Sequence, residues 1–300
     1  MGADICVIVN AGSGKQKGAE RLRAIEEACA PYPGRFTLRP VEKGGEIEAA
    51  TQAALKEGFA AIVAGGGDGT ISAVAGVLAG TECRMGVLPL GTFNYFARSL
   101  DLPEDLGEAV GVIAEGSTVA LDVGEVNGRV FLNNASLGAY PAILKERESI
   151  YRRWGRSRFA AYWSVLVTLT GFRKPLHMRL TIDGAARDLR TPLISIAKNA
   201  HQLEQVGLDG GECITSGQFA IFIAPDAGRL GLVRFAVRLA LGLSEPREDF
   251  DLICGSEIEL VTRRPRRLVA RDGERETLES SFRFQLRRGA LQVLAPRAGP

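Results

Sequence analysis

The chain has 300 residues, room for two domains of ~150 residues each. Its 46% hydrophobic and 24% charged content excludes a disordered, fibrous or coiled-coil chain. The 37 Lys and Arg against 35 Asp and Glu leave a net charge of +2, which gives no electrostatic reason to expect nucleic acid as a partner.

The first third alternates apolar runs with amphipathic ones. Residues 5–9 predict a buried strand ending at Asn10 and a Gly-rich loop. The spacing then predicts a helix over 16–30, a short strand over 36–38, a helix over 46–56, and a strand over 60–64 running into Gly65-Gly66-Gly67. A helix over 71–78 and a strand over 85–88 follow, the latter entering Pro89-Leu90-Gly91-Thr92. Strands alternating with helices imply right-handed crossovers and a parallel sheet covered on both faces.

Near residue 117 the period changes. Residues 118–126 and 130–137 predict two strands joined at Asn127-Gly128, the dipeptide of a type I′ hairpin. Residues 140–172 predict mostly helix. Further strands are expected at 176–182, 193–197, 219–224, 258–261, 267–271, 282–286 and 291–294, with Asp183-Gly184 and Asp272-Gly273 as hairpin turns. The division is an α/β domain over 1–118 and a β-rich, sandwich-like domain over 119–300, whose last residues are candidates to pack back on the first.

Five cysteines, at 6, 29, 83, 213 and 254, lie far apart with no C-x-x-C pair. That favours reduced thiols in a cytosolic protein over a disulfide framework. With two histidines and no cysteine cluster, a zinc site is not expected. The N-terminus lacks a basic stretch followed by an apolar one, and the apolar run over 159–172 is too short to span ~30 Å of hydrocarbon.

Three Gly-rich loops each follow a predicted strand: Asn10-Ala11-Gly12-Ser13-Gly14-Lys15, Gly65-Gly66-Gly67-Asp68-Gly69-Thr70, and Pro89-Leu90-Gly91-Thr92-Phe93-Asn94. Loops at the carboxyl ends of parallel strands line ligand crevices. Glycines let backbone N–H groups approach phosphate, and helix N-termini add positive potential. Each loop alone is equally a strand-to-helix turn. The first is not a Walker A loop, because Val9 stands where that motif needs glycine; the second is not a dinucleotide fingerprint, because Thr70 replaces its last glycine. Asp68 among phosphate-binding amides requires either no phosphate or a metal-bound one.

GGGDGT at 65–70 and PLGTFNYFAR at 89–98 resemble the catalytic domain of diacylglycerol kinases, closest to the soluble bacterial lipid kinases of that family and related to sphingosine kinases. The resemblance continues through FLNNASLGAY at 131–140, APDA at 224–227 and RDGE at 271–274. It implies an α/β domain like those of NAD kinases and diacylglycerol kinases, a β-rich lipid-binding domain, and a cleft between them. It further implies ATP held by Asn10, Ala11, Gly12, Ser13, Gly14, Lys15, Gly66, Gly67, Asp68, Gly69, Thr70, Ile71, Ser72, Gly91, Thr92 and Asn94. Glu274 becomes the proton acceptor on the lipid hydroxyl, Asp272 a supporting carboxylate, and Mg²⁺ a cofactor. The segment that holds a structural Mg²⁺ in bacterial members is altered here at Arg229, Leu230 and Gly231, and Arg229 is a candidate to replace the metal's charge, leaving no saturable metal site near Asp226.

A lipid substrate implies docking from the cytoplasm onto the inner face of a membrane. Arg152, Arg153, Trp154 and Trp163, in a stretch over 150–174 with basic and aromatic residues and no acidic ones, are candidates to approach it; a surface helix with its aromatics in the core is the plainer reading. A second basic cluster, Arg263, Arg264, Arg266, Arg267 and Arg271, precedes the DGE segment and suits phosphate, membrane or solvent. A homodimer is open. Two other functions remain: a kinase of a soluble hydroxyl substrate such as NAD, and a non-catalytic lipid- or nucleotide-binding relative.

Overall fold

The computed structural model describes residues 4–12, 15–138, 175–205, 207–226 and 250–297, with residues 15–17 by backbone alone. The chain forms two compact units, residues 1–123 with 287–300, and residues 124–286.

In the first unit, β1 (Ile5–Asn10), β2 (Phe36–Val41), β3 (Ala61–Gly66) and β4 (Arg84–Pro89) form a parallel sheet in the order β2-β1-β3-β4. The crossovers are α1 (Lys15–Cys29), α2 (Ile47–Glu57) and α3 (Asp68–Leu78), followed by the short α4 (Tyr95–Arg98) and by α5 (Leu106–Glu115). Successive strand residues face opposite ways, so β1 feeds two cores. Ile5, Val7 and Val9 pack with Ile25 of α1 and with Ala109, Val110 and Ile113 of α5. Cys6 and Ile8, equally buried, face the side covered by α2 and α3. α5 was not read from sequence, although Asp105 accepts from Glu108 N at 3.0 Å as its N-cap.

The units are joined by β5 (Ser117–Val126), and the chain returns through the last strand, β16 (Phe282–Ala295). Within the first unit, Val293 of β16 pairs in parallel with Met85 of β4, and Leu294 enters the α1–α5 core.

The second unit is a sandwich. One layer orders the start of β16 beside β13 (Glu257–Thr262), β8 (Leu176–Ile182) and β9 (Ala185–Thr191), with β5 and β6 (Arg129–Phe131) attached. The other orders β12 (Asp251–Gly255), β11 (Phe219–Ile223), β10 (Leu193–Ala197), β7 (Asn134–Gly138), β14 (Arg266–Arg271) and β15 (Glu274–Glu279). Phe131, Leu180, Leu260 and Phe284 of the first layer meet Leu137, Ile196, Phe219 and Val269 of the second. Phe131 stacks on Phe219 with ring centroids 5.8 Å apart and meets Phe284 edge-on. Burying each such ring contributes about 1.5–3 kcal/mol. The outer face of the second layer carries α6 (Ala200–Gln205) and α7 (Gly211–Thr215), with Leu203 and Cys213 against Ala220 and Phe222.

Several expectations change. Cys213 and Cys254 form a disulfide, against the expectation of reduced thiols throughout: α7 lies over β11, beside β12, so residues 41 apart in sequence meet. Only Cys6, Cys29 and Cys83 are free thiols. The strand expected over 130–137 breaks at Leu132-Asn133 into β6 and β7, which belong to different sheets. The strands expected over 282–286 and 291–294 are one, β16. The helix expected within 140–172 lies outside the described residues.

Candidate functional site

In the first unit the candidate loops leave β1, β3 and β4 at their carboxyl ends. After β1, Ala11 N donates to Val41 O at 2.9 Å. Asn10 Oδ1 accepts from Gly12 N at 3.1 Å, and Asn10 Nδ2 donates to Thr70 Oγ1 at 3.2 Å. Arg21 holds the Asn10 carbonyl at 2.8 Å. A Cβ on Gly12 would lie 2.4 Å from Glu42 O, so the first loop closes on β2 only with glycine. Ser13 and Gly14 lie outside the described residues, and Lys15 is described by its backbone alone, as the first residue of α1.

The second and third loops touch through main chain. A Cβ on Gly91 would sit 2.6 Å from Gly67 Cα, and one on Gly66 would sit 2.4 Å from Thr70 Oγ1. Leu90 N donates to Gly66 O at 3.0 Å, and Thr70 N to Gly67 O at 2.9 Å. α3 begins at Asp68, so its first turn presents Asp68, Gly69 and Thr70. Thr70 and Ser72 are buried. Ile71 is fully buried in the sheet core and offers a ligand only its backbone. Thr92 is exposed. Asn94 has a left-handed backbone at φ 50°; its side chain accepts from Gly91 N at 3.0 Å and donates to Pro89 O at 3.1 Å and Gly91 O at 3.2 Å. It therefore shapes the third loop from within. Phe93, half exposed, stacks on Tyr95 with centroids 5.4 Å apart.

The second unit is built differently. Asp272 and Gly273, at φ 47° and 85°, make the type I′ turn between β14 and β15. Asp272 is 9% exposed. Its carboxylate oxygens accept from Leu132 N at 2.8 Å, Asn133 N at 2.8 Å and Asn134 N at 3.1 Å, and its own N–H donates to Asn134 O at 2.9 Å. Asp272 thus pins the β6–β7 bend to the hairpin. Glu274, two residues on, is exposed as the first residue of β15. Arg271 is engaged by Glu276 at 3.1 Å and by the Val130 carbonyl.

Sequence reasoning missed the polar network behind this hairpin. Asn199 Nδ2 donates to Asn133 Oδ1 at 2.8 Å, Asn134 Nδ2 to Gln202 Oε1 at 2.6 Å, and Lys198 N to Asn133 O at 2.8 Å. Its readable signal was the pair of asparagines in the apolar run FLNNASLG, since buried amides require partners.

Among the described residues no group of three or more His, Cys, Asp or Glu side chains could hold a metal. Asp226 pairs with Arg190 at 2.9 Å. Arg229, Leu230 and Gly231, and likewise Arg152, Arg153, Trp154 and Trp163, lie outside the described residues.

A family model described as the diacylglycerol kinase catalytic domain matches residues 4–126, a range that includes all three loops. The chain carries a diacylglycerol kinase catalytic domain. A "Diacylglycerol kinase" of Bacillus subtilis is 30% identical over 204 residues, 66% of each chain. A "Probable lipid kinase YegS-like" of Pseudomonas aeruginosa is 39% identical over 127 residues, so the chain spans 42% of that relative's length. A crystal structure of a diacylglycerol kinase from Bacillus anthracis superposes with a TM-score of 0.67 at 18% identity, covering 97% of this chain and 96% of the other. That likeness establishes the fold: the α/β unit and the β-rich unit follow the architecture of that family's structures.

Proposed function

We propose that this diacylglycerol kinase family member is a lipid kinase that transfers the γ-phosphoryl group of ATP to the hydroxyl of diacylglycerol or a related lipid. The observation that carries the reading is the set of glycine-lined loops at the ends of β1, β3 and β4, two of them in backbone contact at Gly67 and Gly91, inside the catalytic-domain match. Backbone amides there, with the α3 N-terminus, suit nucleotide phosphates. Lys15 and Ser13 are assigned to the same phosphates on the family's pattern.

The donor set suits a particular kind of Mg²⁺. The ion is commonly bound by one or two carboxylates plus substrate phosphates, and Asp68 supplies one carboxylate at the head of α3. Bound there, Mg²⁺ would neutralise charge on the phosphates. The ion pair between Asp226 and Arg190 speaks against a separate metal at Asp226.

In the reaction the lipid hydroxyl oxygen bonds to the γ-phosphorus, the bond to the β,γ-bridging oxygen breaks, and the hydroxyl proton passes to Glu274. Exposure of Glu274 and engagement of Asp272 by backbone support Glu274 as the acceptor and Asp272 as the residue that positions it. We propose the inner face of a membrane as the place of the reaction, with Arg152, Arg153, Trp154 and Trp163 as the residues that approach it on the sequence pattern alone. No described helix is long and apolar enough to cross a membrane.

The test is transfer of labelled γ-phosphate from Mg-ATP into a total lipid extract in anionic vesicles, with NAD offered in parallel. Lipid label should appear with wild type and fall about 10²–10⁴-fold in Glu274→Gln, with stability unchanged. Label in NAD, or none in lipid, overturns the reading.

A further inference from the structure

The arginines at 263, 264, 266, 267 and 271 do not form one uniform patch. Arg266 pairs with Glu279 at 2.9 Å and Arg271 with Glu276 at 3.1 Å. Among the described residues Arg263, Arg264 and Arg267 have no carboxylate partner. The turn carrying the first two is fixed from both sides: Thr262 Oγ1 donates to Arg264 O at 2.7 Å, and Ser280 N to Pro265 O at 2.8 Å. Arg267 lies two residues before Val269 on β14 and so shares the face that Val269 turns to the sandwich core. It is half-buried, and its Nε is enclosed without a hydrogen-bond partner among the described residues.

We propose that Arg264 and Arg267 form a binding site for a phosphate group, carried by a lipid headgroup or free in solution. Two guanidiniums near one another with no acid between them repel. Burial, and then the charge of Arg264, push the Arg267 guanidinium below its ordinary value. A phosphate beside the solvent-facing side of both guanidiniums removes the repulsion and matches their planar fork of donors. The inference does not rest on the kinase reading, because its residues lie on a different turn from Glu274 and from the glycine loops.

The experiment uses the full chain and two probes. Inorganic phosphate is titrated by calorimetry, and vesicles of phosphatidylcholine with and without phosphatidylglycerol are tested by co-sedimentation. Arg264→Gln should weaken binding about 5-fold, the double change Arg264→Gln with Arg267→Gln about 25-fold, and Arg266→Gln less than about 2-fold. Loss confined to the vesicle arm identifies a lipid headgroup, and loss confined to the phosphate arm a soluble phosphate. Arg264 is exposed, so its single variant decides the matter if the double variant does not fold. Binding in both arms equal to wild type, or no binding by wild type, overturns the site.

Discussion

In the first unit the loops after β1, β3 and β4 are made largely of main chain, with glycines where a side chain would collide and with Asn10 and Asn94 acting as internal staples. In the second unit the region behind Glu274 is made of side chains: one buried carboxylate gathers three backbone N–H groups, and amides of Asn133, Asn134, Asn199 and Gln202 pair behind it. The difference matches what each region is proposed to meet. A polyanion is held by amides that approach closely, which demands small residues. A single carboxylate at a hairpin end must instead be aimed, which demands a rigid polar frame.

The strongest way to break the comparison is Asp272→Ala, which leaves the N–H groups of Leu132, Asn133 and Asn134 without their acceptor. Urea unfolding should show a loss of at least about 3 kcal/mol. A loss below about 1 kcal/mol would mean that side chains do not frame the second unit.

The second unit alone carries a disulfide. Cys254→Ser should cost about 2–4 kcal/mol, read by thermal unfolding with and without reductant. The first unit holds Cys6, Cys29 and Cys83 as thiols. Burial raises all three, Cys29 to about 11, so native-state labelling at neutral pH should be slow at each. A reducing compartment would oppose the bridge, and trapping thiols in freshly broken cells reads its state in vivo.

Glycines in the first unit separate role from mere presence. Gly91→Ala forces the second and third loops apart and should cost about 1–3 kcal/mol along with nucleotide affinity. Gly76, exposed in α3 with nothing within 4 Å of an added Cβ, should stabilise by about 0.5–1 kcal/mol on change to Ala.

The smallest effect is electrostatic. The hydrogen bond from Arg35 holds the Asp4 carboxyl below its ordinary value, against an opposing push from burial. A lowered folded value means that its stabilisation is complete above about pH 5 and disappears as pH falls through that value. The pair is well exposed, so Asp4→Asn should cost under about 1 kcal/mol at neutral pH, and less as pH falls through the folded value.

Most of the framework was legible because burial imposes periodicity. β1, β3 and β4 are central strands with unbroken apolar runs, and the turns at Asn127-Gly128, Asp183-Gly184 and Asp272-Gly273 all take the positive φ pairs their residues favour. The strands not read, β9, β12 and β15, are sheet edges. AARDLRT and ERETLE carry the charges that keep an edge from pairing with another chain, and those charges erase the alternation. The break between β6 and β7 was hidden for another reason: its cause, Asp272, lies 140 residues away from Leu132. The same distance hid the frame behind Glu274. The glycine loops were readable because their chemistry is contiguous.

The route of the chain through β5 and β16 has a consequence for biosynthesis. Residues 124–286 are an insertion within the first unit, whose final strand segment begins at Arg287. As the polypeptide leaves the ribosome, Leu291, Val293 and Leu294, all buried, emerge after the whole inserted unit. The parallel sheet therefore waits, with β4 lacking its neighbour and the α1–α5 core lacking Leu294, until the whole inserted unit has been made. A nascent chain stalled before Arg287 should expose that edge, and chaperone occupancy should fall once the last strand is released.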